Sequence, residues 1–195
     1  MNFKLNKNLQ NIELSIIIVN FNTKKLLYRC IESIYKETSI NYEIIVVDNN
    51  SLDDSKSLII NNFPEVLWFN MGYNAGFARA TNSGINIAQG KYILALNPDT
   101  TILNGAIDKA ISFLKNNEQK LNIGALGCLM RNSDYTIQFS ASTNFSKFKR
   151  LALQNDIICY ILKLFHKKTN FSTAEYFTDS QFVSWIGGAF MLFNA

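Results

Sequence analysis

The sequence predicts an α/β fold with a central, mostly parallel sheet flanked by helices. Two observations carry that prediction. Short, β-branched apolar runs alternate with segments of helical period four times within the first 117 residues, a pattern that lays helices on the faces of a parallel sheet. Three of the apolar runs also end in polar groups: Asn20 with Asn22, Asp48 to Ser51, and Asn97 to Asp99. Parallel neighbours bring such ends to one edge, which is where open α/β sheets hold their ligands.

The elements follow in order. "LSIIIVNFN" from Leu14 reads as a buried strand, and "TKKLLYRCIESIYKET" places Leu26, Leu27, Cys30, Ile31, Ile34 and Tyr35 at helical spacing. "YEIIVVDNNSLDDS" is a second buried strand followed by a polar loop, and "DDSKSLIINNF" is helical. "EVLWFNM" is a third strand, and "GYNAGFARATNSGINIAQG" is a glycine-punctuated loop leading into a helix. "KYILALNPDTTI" is a fourth strand, and "LNGAIDKAISFLKNN" has the period of a further helix. Beyond it, "IGALGCLM" and "YTIQFSAS" carry weak strand patterns, and residues 145–168 form an amphipathic helical segment. "FVSWIGGAFMLF" is an apolar strand interrupted by two glycines. With no repeat or linker, the expectation is an extension over 1–13 and one domain over 14–195.

The bulk numbers narrow the class. In 195 residues, 48% are apolar and 17% charged, a globular composition with enough chain for a sizeable core. A net charge of +4 suits an acidic ligand or an anionic surface without demonstrating either. Cys30, Cys128 and Cys159 are odd in number and lack metal or disulfide spacing, which favours a reducing compartment. The first residues lack the apolar core of a signal peptide, and no stretch approaches the roughly 20 apolar residues of a membrane span. The expected location is the cytoplasm, with the inner face of the membrane as a narrower option within it. The only histidine, His166, sits among lysines, which argues against a histidine-dependent triad or a zinc site. Nucleic-acid binding is not expected, since no dense basic stripe interleaved with aromatics crosses the domain.

Three stretches could carry chemistry. Asp48 offers a carboxylate at the strand edge, suited to an imide N–H of uracil or thymine or to ribose hydroxyls; Asp53 and Asp54 are better placed to cap the next helix. Asp99 offers a hard oxygen for Mg²⁺ or Mn²⁺, which bind through one or two carboxylates plus substrate phosphates. The competing reading makes it an Asx-type turn residue. In the loop, Gly72, Gly76, Ala78, Ala80 and Gly84 have little bulk, so the backbone can approach a ligand, or helix and sheet can pack closely. Asn74 could cap the following helix, whose N-terminus favours a phosphate.

At these residues the chain resembles the inverting family 2 glycosyltransferases of GT-A fold, most closely the rhamnosyltransferase-like members. The pieces "SIIIVNFN", "EIIVVDNNSLDDS", "NMGYNAGFARATNSGINIAQGKYILALNPDT" and "WIGGAFML" lie in the family's order, from about residue 14 onward. The resemblance implies that Val19 and Asn20 border the nucleobase and that Asp48 contacts base or ribose. It implies that Asn74, Gly76, Phe77 and Arg79 lie under the nucleotide. Asn97 and Asp99 take the family's DxD-type position, with Asp99 as ligand of a Mg or Mn divalent cation. Trp185, Gly188 and Ala189 resemble the acceptor-side loop, and the resemblance implies a nucleotide-binding half over about 14–117 and an incomplete acceptor-side half over about 118–195.

The implied reaction moves a sugar from a nucleotide-diphosphate donor, dTDP-rhamnose or a UDP-sugar, to a saccharide or lipid-linked acceptor with inversion, in cell-surface polysaccharide synthesis. The sequence departs from the family in one respect. The acidic base motif expected downstream of "GAF" is absent, Ser184 stands where relatives carry an aspartate, and neither Glu175 nor Asp179 matches the motif. The catalytic base is therefore unassigned. The expectation is a C-terminally truncated enzyme or an inactive sugar-nucleotide-binding fragment, with "FVSWIGGAFMLF" short of strand partners and the chain marginally soluble. A nucleotidyltransferase is a weaker alternative, because "NFNTKKLLYRC" lacks the required glycine-rich loop. Segment 145–168 either packs on the sheet or lies peripherally on an anionic membrane.

Overall fold

A computed structural model describes residues 11–138, 140–142 and 180–195. Its main sheet has five strands: β1 (Leu14–Asn20), β2 (Tyr42–Asp48), β3 (Leu67–Asn70), β4 (Tyr92–Leu96) and β9 (Phe190–Asn194), in the spatial order β3-β2-β1-β4-β9. The first four are mutually parallel, and β9 joins β4 antiparallel. From β1 the chain winds outward to β2 and β3, then returns to β4 on the other side. The order therefore reverses between β1 and β4, the kind of switch point at which such sheets leave a crevice.

The helices are α1 (Lys24–Glu37), α2 (Ser55–Asn62), α3 (Phe77–Ile85) and α4 (Ala106–Leu121). β1, β2 and β4 are buried along their whole length, which is why they read as continuous apolar runs and not as alternating ones. Their two faces meet different helices. Ile17, Val19, Ile45, Val47 and Ile93 form one face with Ala80 of α3. On the other, Tyr35 of α1 meets Tyr42 of β2 and stacks on Phe63 after α2, while Tyr92 of β4 donates to Glu118 of α4 at 3.1 Å. Each fully buried isoleucine here contributes about 1.5–3 kcal/mol.

Several expectations change in detail. α1 buries Leu27, Cys30, Ile31 and Ile34, but Leu26 is 44% exposed, because the face turned to the sheet is narrower than the apolar stripe. β3 is a sheet edge with mostly exposed residues. Asn74 does not cap α3: the residue before the helix is Gly76, at φ 78°, and Asn74 Oδ1 instead accepts from the Gly76 N–H at 3.1 Å. The "GGAFMLF" stretch does find a strand partner. β9 pairs with β4 along five residues, burying Phe190 and Leu192, and Leu192 also bridges Leu126.

The chain divides into two compact units, residues 1–128 with 188–195, and residues 129–187. Within the second, β5 (Met130–Arg131) pairs with β6 (Ile137–Gln138), and β7 (Ala141–Ser142) pairs with β8 (Trp185–Ile186). Residues 145–168, with the candidate membrane face and His166, lie outside the described residues, as do Cys159, Glu175 and Asp179. Among the described residues no helix is long and apolar enough to cross a membrane.

Candidate nucleotide-binding site

The polar ends of β1, β2 and β4 do converge. Asn20 and Asp48 are paired in parallel register, so their side chains leave the sheet on the same side. The Asn20 amide donates to Asp48 Oδ1 at 2.8 Å, and reaches Ser51 Oγ and Ser55 Oγ at 2.9 Å each. Asn20 Oδ1 accepts from Thr23 Oγ1 at 2.6 Å. Ser51 donates its hydroxyl to Asp48 Oδ1 at 2.6 Å and its N–H to Oδ2 at 3.0 Å. Asp48 is 4% exposed and Asn20 not at all. Burying these groups is tolerable because each has partners. Val19, one residue earlier, is buried in the α3-facing core.

The loops around this knot are tied to one another. Asn49 donates its N–H to Asn20 O at 2.8 Å, and the Met71 N–H donates to Asp48 O at 2.9 Å. Asp53 accepts from the first N–H of α1, at Lys24, and from the first N–H of α2, at Ser55. Desolvation works against the charge on Asp53, but hydrogen bonds from Ser55 and Lys24 outweigh it and lower its carboxyl pKa. Asp53 thus serves two helix starts, a duty that sequence spacing had offered equally to Asp54.

The glycines of the loop separate into two kinds. Gly84 faces the sheet, where an added methyl would stand 2.6 Å from Ile17 Cγ2; it is a packing residue. Gly72 and Gly76 have positive φ and open space around them, so backbone conformation alone selects glycine there. Gly76 begins α3, where Asn74, Phe77 and Arg79 are all exposed. The first-turn N–H groups of α3 and the Arg79 guanidinium form a region that favours an anion.

At the end of β4, Asn97 donates its N–H to Ala189 O at 3.0 Å, Thr100 donates its N–H to Asn97 O at 3.2 Å, and Thr100 Oγ1 donates to Ala189 O at 3.5 Å. Cys30 Sγ donates to Asn97 O from below at 3.6 Å. Asp99 stands exposed at the tip of this turn. Burial, and after it the Asp99 charge, push the Cys30 thiol up to about 12. Gly188 lies beside Phe77: a methyl on it would touch the Phe77 ring at 4.0 Å. Trp185 is half-buried in the second unit.

The donor set can be tested against a divalent cation. No group of three or more His, Cys, Asp or Glu occurs among the described residues, so an all-protein cage is not built here. Asp99 supplies one exposed carboxylate, with the Asn97 carboxamide two residues upstream. That set fits a Mg²⁺ or Mn²⁺ ion whose remaining ligands are water and phosphate oxygens.

Sequence reasoning singled out Asn20, Asp48 and Asp99, took in Ser51 only as the last residue of the polar end Asp48 to Ser51, and missed Ser55, Thr23 and Thr100. The signal was present for Ser51, which stands three residues after Asp48, at a spacing from which its hydroxyl folds back on the strand end; Ser55, seven residues on, meets Asn20 only through the fold.

Comparison with known proteins gives the family and the fold. The model of the family described as "Glycosyl transferase family 2" matches residues 15–172. A Campylobacter jejuni GalNAc(5)-diNAcBac-PP-undecaprenol beta-1,3-glucosyltransferase is 35% identical over 99 residues, 49% of this chain and 32% of that protein. The Escherichia coli UDP-Glc:alpha-D-GlcNAc-diphosphoundecaprenol beta-1,3-glucosyltransferase WfaP is 35% identical over 103 residues, 52% of this chain and 41% of that protein. The chain therefore spans less than half the length of these relatives. Among solved structures, Staphylococcus aureus TarS with UDP-GlcNAc superposes with a TM-score of 0.57 at 16% identity, over 68% of this chain and 39% of that one. The Pyrobaculum calidifontis mannosyltransferase PcManGT with GDP-Man and Mn²⁺ gives 0.53 at 21% identity, over 64% and 37%. These likenesses establish the GT-A type of fold.

Proposed function

Since the chain belongs to glycosyl transferase family 2, we propose that it forms the nucleotide-sugar-binding part of a glycosyltransferase that builds a cell-surface polysaccharide. The observation that carries this reading is the meeting of Asn20, Asp48 and the Asn97–Asp99 turn at the switch point between β1 and β4.

In this reading the nucleotide lies across the C-terminal edge of the sheet. Asp48 accepts from the base imide or from a ribose hydroxyl, beside Val19 at the end of β1. Asn74, Gly76, Phe77 and Arg79 lie beneath it, the guanidinium and the start of α3 facing the diphosphate. Asn97 and Asp99 would hold a divalent cation against that diphosphate. When bound, the cation supplies Lewis-acid compensation of leaving-group charge. Ala189 braces the Asp99 turn, and Trp185, Gly188 and Ala189 belong to the acceptor side. The acceptor hydroxyl attacks the anomeric carbon from the face opposite the diphosphate, so configuration inverts. Its proton goes to a carboxylate base that we assign to no described residue.

A UDP-sugar is a better-supported donor than dTDP-rhamnose, since WfaP is named for UDP-Glc and TarS was solved with UDP-GlcNAc. Undecaprenol-linked acceptors in the names of both glucosyltransferases favour a lipid-linked saccharide, and with it a cytoplasmic site at the inner membrane face.

Calorimetric titration with UDP and dTDP, with and without Mn²⁺, tests the reading, with Asp99→Ala beside the unsubstituted chain. Metal-enhanced UDP binding that disappears in the variant is expected. Absence of nucleotide binding under every condition would refute it.

A further inference from the structure

We propose that Asn20 is a positioning residue: it touches no ligand and acts on the bound nucleotide only through the Asp48 carboxylate. The inference rests on the nucleotide-binding reading above. It starts from burial, since Asn20 has no exposed surface although it ends the central strand at the candidate site.

The hydrogen bonds say what the carboxamide does there. Thr23 Oγ1 donates to Asn20 Oδ1, which turns the amide nitrogen toward Asp48. Asp48 Oδ1 then receives two donors, the Asn20 amide and the Ser51 hydroxyl, while Oδ2 receives the Ser51 N–H. A carboxylate has about four acceptor sites, so Oδ1 is saturated and Oδ2 keeps the unused capacity. Donors on both oxygens also fix the rotation of the carboxylate plane. Asn20 and Ser51 thus select the oxygen offered to an incoming N–H or O–H, and the direction in which it is offered.

The test is a double-mutant cycle read by UDP titration of the full chain, with the unsubstituted protein, Asn20→Ala, Asp48→Asn and the pair. Each single substitution is expected to weaken binding on the order of tenfold, the scale of one hydrogen bond to a charged group. In the pair, loss of Asn20 should add nothing to loss of the Asp48 carboxylate. Because removing a buried carboxamide threatens the fold, Ser51→Ala goes through the same cycle; it keeps the Ser51 N–H bond and removes only the hydroxyl. Thermal unfolding of every variant separates affinity from stability. Equal weakening in both Asp48 backgrounds, or none in either, overturns the positioning role while the nucleotide reading stands. No UDP binding by the unsubstituted chain overturns both.

Discussion

Substituting Gly84 by alanine sets two opposed effects against each other on the helix that carries Phe77 and Arg79. In a helix interior the change returns about 1 kcal/mol of backbone propensity. Against it stands the sheet: the new methyl would lie 2.6 Å from Ile17 Cγ2 and 3.0 Å from Val47 Cγ2, where carbon atoms prefer roughly 3.5–4.0 Å. Neither neighbour can step aside cheaply. Both methyls are attached to the β-carbon of a β-branched residue with stiff χ1, on central strands that are essentially unexposed. The helix must lift instead, and overpacking of this kind costs about 1–3 kcal/mol. A 2.6 Å approach puts the cost in the upper part of that range, about 2–3 kcal/mol, so after the propensity gain of about 1 kcal/mol we expect a net loss of about 1–2 kcal/mol. With a urea dependence of about 2 kcal/mol per molar, the unfolding midpoint should fall by about 0.5–1 M. Asn82→Ala, on the exposed side of the same helix, is the control and should leave the midpoint in place or raise it. Nucleotide affinity should fall with Gly84→Ala, since the start of α3 moves with the helix. A variant as stable as the parent would mean that α3 does not rest on Ile17 and Val47 as described, and the assignment of Gly84 to packing would fail.

Other perturbations have equally definite outcomes. Gly76→Ala should lose about 1–3 kcal/mol from backbone strain alone, since φ 78° and ψ 165° is a region reserved for glycine; calorimetric unfolding checks it. Asp53→Ala should cost about 1 kcal/mol through two unsatisfied helix starts. The stability that Asp53 supplies is present above its ordinary pKa of 3.8 and lost as pH falls through the lowered folded value. Thermal unfolding of parent and variant should therefore converge in acid. Burial and the Asp99 charge raise Cys30 to about 12, and burial raises Cys128 to about 11, from 9.0. Iodoacetamide at pH 8 should leave both thiols unmodified in the folded chain and label them in urea, read by mass spectrometry. The unfolded chain ionises these thiols first, so stability should decline as pH rises above 9.

How much of this was legible in the sequence depended on the range of the interaction. β1, β2 and β4 were plain because burial on both faces leaves a nearly continuous apolar run, and α1 because its buried residues repeat within one turn. Convergence of Asn20, Asp48 and Asp99 followed from parallel order alone. The partner of "FMLF" did not, since nothing in an apolar run says which distant strand it will join, or in which direction. The hydrogen bonds of Asn20 were hidden for a related reason. They depend on the register that sets Asn20 opposite Asp48: the family resemblance placed Asn20 along the border of a base, and only the structure shows its side chain buried against Asp48, Ser51, Ser55 and Thr23. The two behaviours of the loop glycines were also invisible: Gly76 and Gly84 look alike until backbone angles and neighbours are known.

The pairing of β9 with β4 has a kinetic consequence. β2 and β3 each join the preceding strand through a short helical crossover, and β4 returns to β1, whereas β9 closes a longer loop that spans nearly the second half of the chain. Closing a longer loop costs more chain entropy, and distant pairings slow folding. During synthesis the β1–β4 sheet can form while β9 is still untranslated. The Ala189 carbonyl that receives Asn97 and Thr100 arrives with β9. The turn bearing Asp99 is thus set into its final geometry late, when a strand from the far end of the sequence docks.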